Sequence, residues 1–179
     1  MNINWVLADD IVLDPTIEIR RLKDIGSLWG SWQTWRACST DNVVCHQATK
    51  AQELIDKNFH TFCNFYIPNS LYIILDAPPA VQVYEGNFVH KIERQDELVS
   101  MHLAASSSDV VLLLGFDWSA DNQDESLIDY RGMVAATIVN NPDTQWVVVD
   151  QSGPLRPELA KLENLTTDTL VNVLKLIKT

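Results

Sequence analysis

Four aspartates stand where the chain leaves a short apolar run: Asp9 after Asn4–Ala8, Asp76 after Tyr72-Ile-Ile-Leu, Asp117 after Leu114-Gly-Phe, and Asp150 after Trp146-Val-Val-Val. If each run is a strand of a parallel sheet, these carboxylates share the carboxyl edge of that sheet, where open α/β folds bind ligands. Carboxylates there can hold ribose hydroxyls, take a divalent cation or act as a base. An aspartate after a strand also caps the helix that follows. Capping is the simpler account of any one of them, whereas four together point to a pocket. The loop Asp150-Gln-Ser-Gly-Pro-Leu-Arg156 adds a hydroxyl on Ser152, the amide of Gly153 and the Arg156 guanidinium. That set suits a phosphate or carboxylate, and it is equally an ordinary Gly-Pro turn. The candidate ligand-binding residues are therefore Asp9, Asp76, Asp117, Asp150, Ser152 and Arg156. No catalytic residue, metal ligand or cofactor is assigned.

Other clusters carry less. Asp117, Asp121, Asp124 and Glu125 crowd one loop without the Asp-x-Asp-x-Asp-Gly spacing of a calcium site. Cys45-His46 and His60-x-x-Cys63 lack the paired spacing that zinc needs, so these cysteines read as small buried hydrophobes. Nothing orients a Cys–His nucleophilic pair. His102, between Leu98 and Ala105, reads as a partly buried helical histidine. Trp29, Trp32 and Trp35 recur every third residue. They read as one aromatic helix face, suited to stacking a sugar or base and more readily to a core or subunit contact. Any of the three left outside the core is expected in a homo-oligomer contact.

The elements that must position these groups follow from apolar periodicity. Strands are expected at Asn4–Ala8, Asn42–Cys45, Leu71–Leu75, Val110–Gly115 and Trp146–Val149. Helices are expected at Thr16–Ile25, Gln47–Phe59, Arg94–Ser107, Ser126–Asn140 and Thr167–Lys178. Val81–Tyr84 and Phe88–Val89 suggest a small hairpin around Gly86 and Asn87. The aromatic stretch Phe59–Pro68 fits either strand or irregular structure. Fully apolar strands alternating with helices imply a parallel sheet covered on both faces. The expected fold is a single α/β domain over residues 1–179, a three-layer, Rossmann-like sandwich with a central, mostly parallel sheet. Val110–Gly115 and Trp146–Val149 are expected as central parallel neighbours.

Composition agrees. The 179 residues are 46% hydrophobic and 21% charged, enough for one core and too apolar for global disorder. The longest apolar run, Val110–Phe116, is too short to cross a bilayer. Met1–Trp5 holds no Lys or Arg, so no secretory leader is expected, and three cysteines, an odd number, suggest free thiols. The expectation is a cytoplasmic protein. The net charge of −11 disfavours nucleic acid and anionic membrane surfaces as partners. Acids without bases concentrate between residues 95 and 130, from Asp96 and Glu97 to Asp129, which reads as a solvated acidic rim.

The segment Met101-His-Leu-Ala-Ala-Ser-Ser-Ser-Asp-Val-Val-Leu-Leu-Leu-Gly115-Phe-Asp117-Trp resembles part of the sialyltransferase-like glycosyltransferases and the related motility-accessory-factor domains: an Ala-rich helix, an apolar strand, then Gly-hydrophobic-Asp. With the tail Trp146–Ile177 the likeness covers about 80 residues. It implies a nucleotide-sugar pocket near Asp117 and Ser152. Asp9, Asp10 and Ile11 stand where that family has its Gly-rich nucleotide loop, and no histidine follows His102. Ser108-Asp-Val-Val-Leu-Leu-Leu-Gly, followed by an acidic loop and a helix, is also similar to nucleoside deoxyribosyltransferases, without their compact Asp-x-Gly-Thr-x-x-Glu element.

The leading expectation is a domain that binds a nucleotide or sugar-like small molecule at the sheet's carboxyl edge, a degenerate glycosyltransferase-like domain among the forms this takes. One alternative is a non-catalytic oligomeric assembly or interaction protein, viral proteins included. Another is a glycosyl-bond enzyme of deoxyribosyltransferase type. A convergent polar pocket marks the first and third, an exposed apolar patch the second.

Overall fold

Residues Val110–Leu114 are apolar at every position, so a strand made of them must be covered on both faces. The computed structural model, which describes residues 1–9, 11, 19–85, 94–120 and 128–176, shows that arrangement. In chain order the elements are β1 (Ile3–Leu7), α1 (Ile19–Lys23), β2 (Ser27–Ser31), α2 (Trp32–Cys38), β3 (Asn42–Val44), α3 (Ala48–Asp56), a 3₁₀ turn (Phe59–Thr61), β4 (Asn64–Pro68), α4 (Asn69–Ile74), β5 (Gln82–Tyr84), α5 (Gln95–Ala105), β6 (Val110–Leu114), α6 (Ile128–Val139), β7 (Gln145–Val149), β8 (Leu165–Asp168) and α7 (Leu170–Leu176).

Among the described residues, eight strands form one sheet in the order β5-β4-β3-β2-β1-β6-β7-β8, and every pairing is parallel. The α/β three-layer, Rossmann-like expectation is met. So is the central placement of β6 and β7, which pair in register from Val110 with Gln145 to Leu114 with Val149. Alternation along β1 builds the two faces. Val6 and Ala8 join Leu98 and Met101 of α5 and Val134 and Ile138 of α6 in one core layer. Trp5 and Leu7 face the other way, onto Leu22 of α1, Cys38 of α2, and Leu170 and Val173 of α7. α3 and α4 cover the β3–β4 half of that second face through Ala51, Leu54 and Leu71.

Successive strands from β1 to β5 step in one direction, and the chain then returns to place β6 on the far side of β1. The order reverses between β1 and β6, so the crevice at their carboxyl ends is the topological switch point. The return passes through α5, which lies across β1, β2 and β3. That position explains why nearly all of α5, charged residues included, is buried.

Four sequence expectations need correction. Leu71–Leu75 is not a strand: it belongs to α4 and its C-cap, with Ile73 and Ile74 more than two-thirds exposed. Pro68 in extended conformation followed by Asn69-Ser70 starts a helix, and the strand is the aromatic stretch before it. Ser27–Ser31 is a strand, so the three tryptophans do not share a helix face. Trp29 is buried in β2, its ring 5.2 Å from that of Tyr66, while Trp32 and Trp35 lie on α2. The spacing of three runs across a strand–helix junction and has no helical meaning there. Residues 165–168 form β8, which starts the closing helix at Leu170 rather than Thr167. β5 pairs in parallel with β4, and its expected hairpin partner, Phe88–Val89, lies outside the described residues. His102 is exposed. No helix among the described residues is long and apolar enough to cross a membrane.

One glycine fixes the start of β2. A Cβ on Gly26 would stand 2.1 Å from the carbonyl oxygen of Ile3, so only glycine allows α1 to hand over to a strand beside β1.

Candidate functional site at the switch point

Three strand ends, those of β1, β2 and β3, two helix N-termini and one tyrosine meet at the carboxyl edge on one side of the switch point. Asp9 follows β1. Ser31, the last residue of β2, is the N-cap of α2, its hydroxyl accepting the N–H groups of Gln33 and Thr34 at 3.0 and 3.3 Å. Thr34, so positioned, brings its Oγ1 to 3.2 Å from Asp9 Oδ1. His46 follows β3. From the opposite face, the first turn of α5 presents Asp96 and Glu97, acids favoured at the positive end of a helix.

Glu97 is fully buried. Its Oε1 accepts the backbone N–H of Asp9 at 2.6 Å and its Oε2 accepts the Tyr130 hydroxyl at 2.8 Å. Arg94 Nη1 lies 3.6 Å from Oε1. Burial, then the neighbouring charge of Asp9, push the Glu97 carboxyl up to about 7, against the pull of Arg94 and the two hydrogen bonds. Asp9 is half-exposed, and its carboxyl is also raised, first by burial and then by Asp96, with the Ser31 and Thr34 hydroxyls acting in the other direction. Tyr130, on α6, is pushed well above the ordinary phenol range by burial and by Glu97.

Asp96 grips His46 twice. Its Oδ1 lies 2.6 Å from His46 Nδ1 and accepts the His46 backbone N–H at 3.0 Å. Asp96 is buried while the His46 side chain keeps 29% of its exposure. The bond to Asp96 makes the imidazole more basic than usual, outweighing partial burial, and Asp9 adds to the effect. With Nδ1 engaged by the carboxylate, Nε2 is the ring atom left to meet a ligand. The arrangement is a buried carboxylate orienting a more exposed titratable group, and it occurs twice: Glu97 holds the main chain of Asp9, and Asp96 holds the ring of His46.

No family model, curated protein or solved structure matches the chain.

The residues singled out from the sequence separate into four places. Asp9 belongs to the cluster just described. Asp117 and Ser152 do come together, the Ser152 hydroxyl donating to Asp117 Oδ1 at 3.2 Å. Asp117 also accepts the Ser119 N–H at 3.1 Å and the Gln151 amide at 3.4 Å. Slight burial would raise its pKa, and these bonds more than reverse that. Arg156 is on the same pair of loops, its backbone N–H bonded to the Trp118 carbonyl at 3.1 Å, beside the Ser119–Leu155 bridge. Asp117 thus staples the loop after β6 to the loop after β7. Asp150 caps α7, accepting the Leu170 N–H at 2.9 Å. Asp76 is the correction: it follows α4, in a left-handed conformation, on the connection leading to the start of β5 and therefore toward the amino edge. Asp9, Asp117 and Asp150 follow the adjacent strands β1, β6 and β7 at the carboxyl edge, and Asp76 does not join them.

Sequence reasoning missed His46, Thr34, Asp96, Glu97 and Tyr130 as a set. The rule applied to aspartates after strands would have found His46, which directly follows Asn42–Cys45. Asp96 and Glu97 fall in the stretch expected as a solvated rim, yet they are 5% and 0% exposed. Asp121, Asp124 and Glu125 lie outside the described residues. Cys45 is buried in the β3 region, and burial pushes its thiol up to about 12, which suits a small core residue rather than a nucleophile. Among the described residues no group of three or more His, Cys, Asp or Glu side chains is placed to hold a metal ion.

Proposed function

We propose that the chain binds a nucleoside- or sugar-like ligand in the switch-point crevice, and that Asp9 and His46 perform acid–base chemistry on it. The observation that carries this reading is the doubled arrangement, in which buried Glu97 and Asp96 orient half-exposed Asp9 and His46 at one sheet edge. Groups with pKa values displaced by burial and by specific partners gather at functional sites. Carboxylate and imidazole, backed by hydroxyls of Ser31 and Thr34, match the hydroxyl groups of a sugar ring. Three acids against Arg94 and His46 make the crevice a poor place for a phosphate.

Cleavage or transfer at a glycosidic bond is the reaction these groups suit. Asp9, ionised, stabilises the positive charge that develops at the anomeric carbon and takes the proton of the water or acceptor hydroxyl that adds there, while His46, protonated and held by Asp96, supplies a proton to the departing base or oxygen.

A thermal-shift panel of nucleosides and free sugars tests the binding, since a ligand of the native state raises Tm. Asp9→Asn should abolish the shift and Asp117→Asn should keep it. Release of free base or sugar, followed chromatographically, tests the reaction and should be lost in His46→Gln. A panel without any shift, or a shift that survives Asp9→Asn, overturns the reading.

A further inference from the structure

On the face carrying α2 and α3, away from the buried carboxylates, a groove of about 530 Å3 opens between these helices and the 3₁₀ turn. Its walls are aromatic: Trp32 and Trp35 are half-buried, and Phe62 is 72% exposed, unusual for so large an apolar side chain. Its charge is the reverse of the protein's. Arg36, Lys50 and Lys57 line it, and the one acid among the lining residues, Glu53, is already held by two of them, Lys50 at 2.7 Å and Lys57 at 2.6 Å. The groove keeps a positive excess on a chain whose net charge is −11.

The cations also mark the rings. Lys50 Nζ lies 4.2 Å from the Trp32 ring centroid and the Arg36 guanidinium carbon 5.8 Å from it. With these cations over the Trp32 ring, the flat wall left for a planar ring is the exposed Phe62: the ring stacks there, and the anion it carries meets the ammonium and guanidinium groups. The volume suits one small molecule rather than a polymer.

We infer that this groove is a binding site for an aromatic anion of nucleoside-monophosphate type, separate from the switch-point crevice. It does not rest on the reading of the crevice, whose acids disfavour a phosphate.

The test is calorimetric titration with AMP, adenosine, inorganic phosphate and a glutamate-rich peptide, run on the natural full chain and on Asp9→Asn, which removes nucleoside binding at the crevice. AMP should bind about tenfold or more tightly than either adenosine or phosphate, because only AMP offers both ring and charge. The double variant Arg36→Glu/Lys57→Glu should weaken AMP by about tenfold or more, since charge reversal opposes the anion directly. Both residues are exposed, so the variant should fold, and unchanged circular dichroism checks this. Phe62→Ala, also exposed, should weaken AMP and adenosine alike. Asp9→Asn should leave AMP binding unchanged. Binding that is no tighter for AMP than for its parts, that survives charge reversal, or that is lost in Asp9→Asn overturns the inference. Binding of the acidic peptide without AMP overturns it too, and assigns the groove to a protein partner.

Discussion

The carboxylate of Glu97 receives the backbone N–H of Asp9 at 2.6 Å, across 88 residues of chain. One residue opens a helix on one face of the sheet and the other closes the first strand. Burying an ionised carboxylate is costly unless it is paired or neutralised. Glu97 meets that cost with the Asp9 N–H, the Tyr130 hydroxyl and a pKa near neutrality.

That displacement makes stability depend on pH. With its pKa raised from 4.5 to about 7, folded Glu97 holds its proton where the unfolded chain has lost it. The native state binds more protons between these values, so this contribution to stability falls as pH rises through the window. Glu97→Gln removes the dependence while keeping a carbonyl oxygen for the Asp9 N–H. Relative to the natural chain, the variant should gain about 2–3 kcal/mol between pH 5 and pH 8 in urea unfolding. Equal pH dependence in both proteins would falsify the assignment.

His46 gives a second pH signature. Its pKa is raised mainly by the hydrogen bond to Asp96, so the stability it contributes is complete below the ordinary value near 6.5 and is lost as pH rises through the folded value. Asp96→Asn keeps an oxygen for the His46 backbone N–H and removes the charge. The imidazole resonances of His46 should then titrate at lower pH by NMR. A titration that does not move, or moves upward, contradicts the pairing.

Ser31 joins local structure to the site. Its hydroxyl accepts two N–H groups at the start of α2, and Thr34 on that turn reaches Asp9. Ser31→Ala should cost about 1 kcal/mol in chemical denaturation, the usual loss for an N-cap. It should also lower affinity for any ligand of the crevice, because Thr34 loses its anchor.

Asp117 provides the contrast. It is exposed, and solvent screens its hydrogen bonds. Its pKa is lowered, so its contribution is present above the unfolded carboxylate range and is lost as pH falls through the folded value. Asp117→Asn, which keeps one oxygen for the Ser119 N–H, should cost at most about 0.5 kcal/mol. A loss of several kcal/mol would assign Asp117 a larger role than stapling two loops.

The sequence by itself determined the sheet's core. The uninterrupted runs Val110–Leu114 and Trp146–Val149 admit no one-sided solution, so they specify buried parallel strands, and Asp9 and Asp117 follow strands for the same reason. Local pattern could not decide elements whose neighbours supply the meaning. Leu71–Leu75 is apolar enough for a strand, but β4 occupies the lane beside β3. Ser27–Ser31 mixes small and large residues and becomes a strand because β1 and β3 flank it. The site depended most on tertiary structure. Asp96 and Glu97 look like surface acids until the return from β5 to β6 lays α5 across the sheet and brings them against His46 and Asp9, 50 and 88 residues earlier. Spacing along the chain carries no record of that crossing. The strand order, set by how two apolar faces are covered, creates both the switch point and the burial that raises the Asp9 and Glu97 carboxyls there.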